Sequence, residues 1–137
     1  MSKTVINEND KIDEVSMQTE TNIETTLITK KDIFKAYNKW YLSCEISNSY
    51  ERMQSLAFCY SISHILEKLY TDKEDLKKAL TRHLNFFNSQ GIWGSPIHGV
   101  TIAMEEAKSK GEDIPDTSIT GIKTGLMGPL TQSLFLL

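Results

Sequence analysis

From Thr29 onward, apolar residues recur at spacings of three and four along this 137-residue chain; before Thr29 they are scattered. Thr29 is a good N-cap, with Asp32 at the third helical position and Ile28 and Ile33 placed as a hydrophobic staple. Ile33, Phe34, Tyr37, Trp40 and Tyr41 follow, which predicts a first helix over about 30–43 with a broad aromatic face. A second helix is expected from about Glu45 or Ser49 to Tyr70, deeply buried over Leu56 to Ile62, where apolar residues nearly encircle it. Thr71-Asp72-Lys73-Glu74 reads as a capping box for a third helix over about 72–88, supported by a Glu74–Lys78 pair. Ser95-Pro96 reads as a cap followed by proline in the first turn of a fourth helix, about 96–109, with Ile97, Val100, Ile102, Ala103 and Met104 as its apolar residues and Gly111 ending it. A short fifth helix starts near Pro115 and should stop at Gly128-Pro129. No stretch alternates with period two, so the expected fold is all-α, about five helices.

Charge changes the picture at the amino terminus. Residues 1–26 carry Lys3 and Lys11 against six carboxylates, a balance of −4, while the whole chain sums to −3. A segment so polar cannot bury enough surface to offset its ordering entropy, so 1–27 is expected to be a disordered acidic tail, 28–130 the helical domain and 131–137 a divergent end. The remainder is nearly neutral and offers no electrostatic reason to bind nucleic acid. Cys44 and Cys59 form no CxxC pair and are expected to be reduced, buried thiols of a cytoplasmic protein. Met1 to Asp10 is polar and lacks an apolar h-region, so no secretory signal is expected, and no apolar run reaches the ~18 residues of a membrane span.

Four stretches carry a resemblance. These are Tyr50-Glu51-Arg52-Met53-Gln54, Arg82-His83-Leu84-Asn85-Phe86-Phe87-Asn88, Gly99-Val100-Thr101-Ile102-Ala103-Met104-Glu105-Glu106, and Gly121-Ile122-Lys123-Thr124-Gly125-Leu126-Met127-Gly128-Pro129-Leu130. In content and order they resemble the amino-terminal part of the IID permease subunit of mannose-family bacterial sugar phosphotransferase systems. The resemblance implies a non-catalytic subunit that needs no cofactor. It pairs with IIC at the cell membrane, while separate A and B subunits pass the phosphoryl group through histidines to the incoming hexose. Two departures stand out. Where the family commonly has Trp-Asn before the first signature, this chain has Asn48 and Ser49. After Leu130 the family's glycine-rich membrane run is replaced by 131–137, which a truncated or decayed gene product or a deliberately shortened chain would equally explain.

Each chemically interesting residue also has an ordinary structural reading. Tyr50, Glu51, Arg52 and Gln54 offer donors and acceptors suited to sugar hydroxyls or a subunit contact, or they form a solvated first turn. His83 tempts as a phosphoryl carrier, but a hydrogen-bonded structural histidine is the expectation; His64 should be core and His98 exposed. These histidines are far apart in sequence and Glu105 and Glu106 diverge on a helix, so no metal site is expected. Gly121, Gly125 and Gly128 are expected to give a close-packing helix surface. An independent soluble helical interaction protein is the alternative, and no catalytic fingerprint supports a stand-alone enzyme.

Overall fold

The computed structural model describes residues 27–132, in which five helices follow one another: α1 (Lys30–Ser43), α2 (Ser55–Leu69), α3 (Lys73–His83), α4 (Ser95–Ser109) and α5 (Asp116–Gln132). The described part is therefore all-α, as the periodicity predicts. The expected acidic tail and the 131–137 end fall wholly or largely outside the described residues.

The caps explain why the helices begin and end where they do. At α1, the Thr29 hydroxyl accepts from the Asp32 amide at 3.3 Å and the Asp32 carboxylate accepts from the Thr29 amide at 3.0 Å. At α3 the cap is Asp72 rather than Thr71; its carboxylate takes the amides of Glu74 and Asp75. Lys78 then pairs with Asp75, not with Glu74. Gly94 rather than Ser95 precedes α4, and a Cβ there would approach the Gln90 carbonyl to 2.8 Å, so the tight entry requires glycine. Gly111 ends α4 with a φ of +98°, a left-handed conformation that costs glycine nothing.

α2 is the hub and packs against α1, α3 and α4, while α5 closes the bundle over α3 and α4. Its Phe58, Ile62, Ile65 and Leu66 are fully buried, although Leu56 and Tyr60 within the encircled stretch reach solvent. α1 meets α2 along Asp32, Ala36 and Trp40, so of the aromatic face expected from spacing Trp40 is the residue that turns inward. Ala36 lets the two backbones approach, and Asp32 turns inward to take the Lys68 ammonium at 2.6 Å. Ile33, Phe34 and Tyr41 are consequently left outside. Val100 and Ala103 likewise point outward on α4, which buries Ile97, His98, Thr101, Ile102 and Glu105.

Two boundaries differ most from expectation. α2 starts at Ser55, because Ser49 to Met53 is a closed turn. α3 ends at His83, five residues early, because Phe87 leaves the helical path to enter the core beside Trp40 and Phe58, with ring centroids 5.6 and 4.5 Å away. α5, by contrast, runs through Pro129 to Gln132. Proline there removes one helical hydrogen bond without ending the helix.

Candidate functional site

Tyr50, Glu51 and Arg52 form the tip of a turn tied at its base. Ser49 and Met53 exchange backbone hydrogen bonds of 3.2 and 2.8 Å, and the Ser49 hydroxyl accepts from the Arg52 amide. Met53 pays for this geometry with a φ of +49°, a left-handed conformation unusual for a side-chain-bearing residue. These residues are therefore not the first turn of a helix. The tip is open to solvent: Tyr50 is 98% exposed, and Glu51 and Arg52 are exposed beside it.

Gln54 behaves differently from its neighbours. It is buried; its amide donates to the Phe87 carbonyl at 2.8 Å and its side-chain oxygen accepts from the Ser89 amide at 3.0 Å. The Trp40 indole donates to the Gly91 carbonyl at 2.7 Å, and a Cβ on Gly91 would crowd the Cys44 thiol at 3.1 Å. Together these contacts fasten the turn after α1 to the segment between α3 and α4. Ile46, Phe86, Ile92 and Trp93 stand exposed on these two connected segments. Trp93 is an aromatic surface group that the helical spacing had no means of singling out.

Beneath lies a ring of aromatics and buried ionisable groups. Phe58 is flanked by Trp40, Phe87, His83 and His98, and the Lys123 ammonium sits 4.6 Å above its ring. Burial lowers the Lys123 ammonium to about 8, and the neighbouring Cys59 only weakly opposes this. His98 is buried, contrary to expectation, and burial lowers its imidazole to about 3. Its Nδ1 reaches the Gly94 carbonyl at 3.3 Å, while Nε2 has no partner among the described residues. His64 is half-buried and meets the Asp32 carbonyl at 3.2 Å.

Glu105, fully buried, organises the other side of this layer. Arg82 grips it through two 3.0 Å hydrogen bonds, His83 Nε2 lies 2.7 Å from it, and the Tyr70 hydroxyl donates at 2.6 Å. Burial alone would raise this carboxyl; the bonds from His83 and Tyr70 and the Arg82 charge overcome burial and hold it below its usual value. Burial in turn lowers His83, so its ring is neutral and donates from Nε2. Arg82 also reaches Asp116 at the start of α5, which Lys108 joins at 2.9 Å. Both Cys44 and Cys59 are buried free thiols that burial pushes up, which makes them inert.

Gly121, Gly125 and Gly128 lie on the outer side of α5, opposite the buried stripe of Ile119, Lys123 and Met127. A Cβ added at any of the three would meet nothing within 4 Å. The glycines are thus not needed for packing among the described residues. No described helix is long and apolar enough to cross a membrane.

Known proteins resemble this chain in sequence and in fold. The chain is 48% identical over 83 residues to the mannose-specific EIID component of Escherichia coli strain K12, covering 60% of this chain and 29% of that protein. It is 44% identical over 105 residues to the sorbose-specific EIID component of Lacticaseibacillus casei, covering 77% and 37%. The structure superposes on the cryo-EM structure of the mannose transporter ManYZ with microcin E492 at a TM-score of 0.72 and 44% identity, over 76% of this chain and 38% of that one. The chain therefore spans less than two-fifths of the length of these relatives. The profile of the PTS mannose/fructose/sorbose family IID component matches residues 27–132, and the chain belongs to that family.

Proposed function

We propose that this chain acts as part of a mannose-family sugar phosphotransferase permease, assembling with a IIC subunit at the membrane and performing no chemistry of its own. The observation that carries this reading is the bare glycine face of α5. Three glycines in one helix interior weaken it by roughly 0.5–1 kcal/mol each relative to alanine, and no neighbour among the described residues uses the space they leave. A second helix can approach such a face closely.

The Tyr50-Glu51-Arg52 tip is the proposed polar contact, to the hexose or to a partner subunit, since an aromatic ring, a carboxylate and a guanidinium together suit hydroxyl-rich or polar surfaces. Gln54 drops from that contact and becomes its internal support. The burial of His83 favours phosphoryl transfer on the A and B subunits, because a phosphoryl carrier needs an accessible ring nitrogen.

The test is co-purification of the tagged 137-residue chain with IIC from detergent-solubilised membranes. Recovery with IIC, lost on Gly125→Leu, is the expected result. Recovery only from the soluble fraction as a folded monomer would overturn assembly and favour an independent helical protein, a reading to which the closed core around Trp40 and Phe58 lends some weight.

A further inference from the structure

α1 has two apolar faces, and the bundle uses one. Its inner stripe of Asp32, Ala36 and Trp40 packs on α2, while Phe34 and Leu42 remain 65% and 71% exposed. With Tyr60 of α2 these two side chains line a groove of about 660 Å³. The same groove is edged by Lys30, Lys31, Lys35 and Lys39. Lys39 rests 4.7 Å above the Tyr60 ring, and none of the four lysines pairs with a carboxylate among the described residues. Asp32 is the lone acid of α1, and it is turned inward and taken by Lys68. Every positive charge on the outer face therefore stands uncompensated beside exposed apolar surface.

We propose that this outer face of α1 seats on an anionic lipid surface. Phe34 and Leu42 enter the boundary between headgroups and acyl chains, and the lysine ammoniums meet lipid phosphates. The charge pattern selects this occupant. A helix with a lysine-rich rim around bulky apolar side chains lies in the membrane interface plane, and a cluster of four lysines or more is enough for recognition of anionic headgroups. The residue type points the same way. Lysine is a flexible point charge that serves a fluid array of phosphates, whereas a fixed carboxylate partner is better held by the planar fork of arginine, and α1 has no arginine. Long lysine stems can lie along the apolar surface while their charges stay in water. The inference rests on α1 and does not depend on assembly with IIC.

The experiment is co-sedimentation of the full 137-residue chain with vesicles rich in phosphatidylglycerol, against vesicles of phosphatidylcholine alone. Binding to the first, released by added salt, is expected. Each lysine neutralised should weaken partitioning about five-fold, so Lys31→Gln with Lys35→Gln lowers it about 25-fold, and Phe34→Ser lowers it without changing the salt dependence. All three positions are exposed, so thermal melts of the variants should match the parent. Equal binding to both vesicle types, or undiminished binding by the lysine variant, would overturn the proposal. A parent chain that stays in solution with both vesicle types would also overturn it. Recovery with IIC is read in detergent, where no lipid surface is present, so the two proposals can fail separately.

Discussion

Arg82 and Glu105 face each other across the interior with two parallel hydrogen bonds of 3.0 Å, Nε to Oε1 and Nη2 to Oε2, joining α3 to α4. The pair is almost wholly withdrawn from water, so its worth depends on both partners being present. Glu105→Gln removes the buried counter-charge and leaves the guanidinium only the exposed Asp116 carboxylate, and should cost about 3–5 kcal/mol in urea unfolding. Replacing both residues by methionine should cost less than either single change, because no uncompensated charge remains. A double-variant cost that equals the sum of the singles would show that the two side chains do not act together.

Lys123 gives the fold an alkaline signature. Its ammonium is lowered from 10.5 to about 8 in the folded state, so between those values the unfolded chain binds more protons than the folded one. Stability should therefore rise with pH across that window, by about 3 kcal/mol at most. Lys123→Met should remove this rise, read as the difference between parent and variant melting temperatures from pH 7 to 10.5. Parallel curves for the two proteins would show that the lysine is not desolvated.

The acid side shows a trend of the same sign, at lower pH. His98 is held neutral, with its imidazole lowered from 6.5 to about 3, and burial lowers His83 as well. Both must take up protons on unfolding, so stability should fall as pH drops from 6.5 toward 3. His98→Leu should shallow that fall, measured by urea midpoints at successive pH values.

The neighbours Tyr50 and Gln54 should separate cleanly by mutation. Gln54→Ala removes the acceptor of the buried Ser89 amide and should cost about 1–3 kcal/mol. Tyr50→Ala at the exposed tip should change stability by less than about 0.5 kcal/mol, while weakening recovery with IIC or sugar uptake by the assembled permease.

On α5, Gly121→Ala and Gly125→Ala should each stabilise the isolated chain by about 0.5–1 kcal/mol, since both positions are exposed in a helix interior with open space beside them. The larger Gly125→Leu should also be tolerated in the isolated chain but should block assembly. Loss of folding on Gly125→Leu would mean that the face is already occupied within the chain.

How much of this the sequence disclosed follows the range of the interactions. Local devices were legible: the Thr29–Asp32 box, the stop at Gly111 and the helical repeats all act within four or five residues. What stayed hidden depends on partners far along the chain. Arg82 and His83 are charged and polar residues at the end of a helix, and only Glu105, more than twenty positions on, turns them into interior groups. Asp32 reads as a capping acid in the first turn, and only Lys68, far along the chain, shows that it also faces inward while Ile33, Phe34 and Tyr41 are left outside. The left-handed Met53 has no signature in its residue type, and without it Tyr50 to Gln54 continue naturally as helix. At the candidate site, Tyr50, Glu51, Arg52 and Gln54 stand together in the sequence, and only the fold divides the exposed tip from its buried support.

Lys123 also determines what a partner would encounter. Three glycines and a proline make α5 a poor helix by local preference, and a helix so smooth on one side could turn about its own axis. The lysine prevents that: its charged end is lodged over Phe58 and Phe87, and rotating α5 would drag it out of the aromatic layer. It acts as a key in a slot, fixing the azimuth of the glycine face before anything docks. A docking helix would then find its groove already oriented, and the entropy of aligning it would have been spent in folding rather than in recognition.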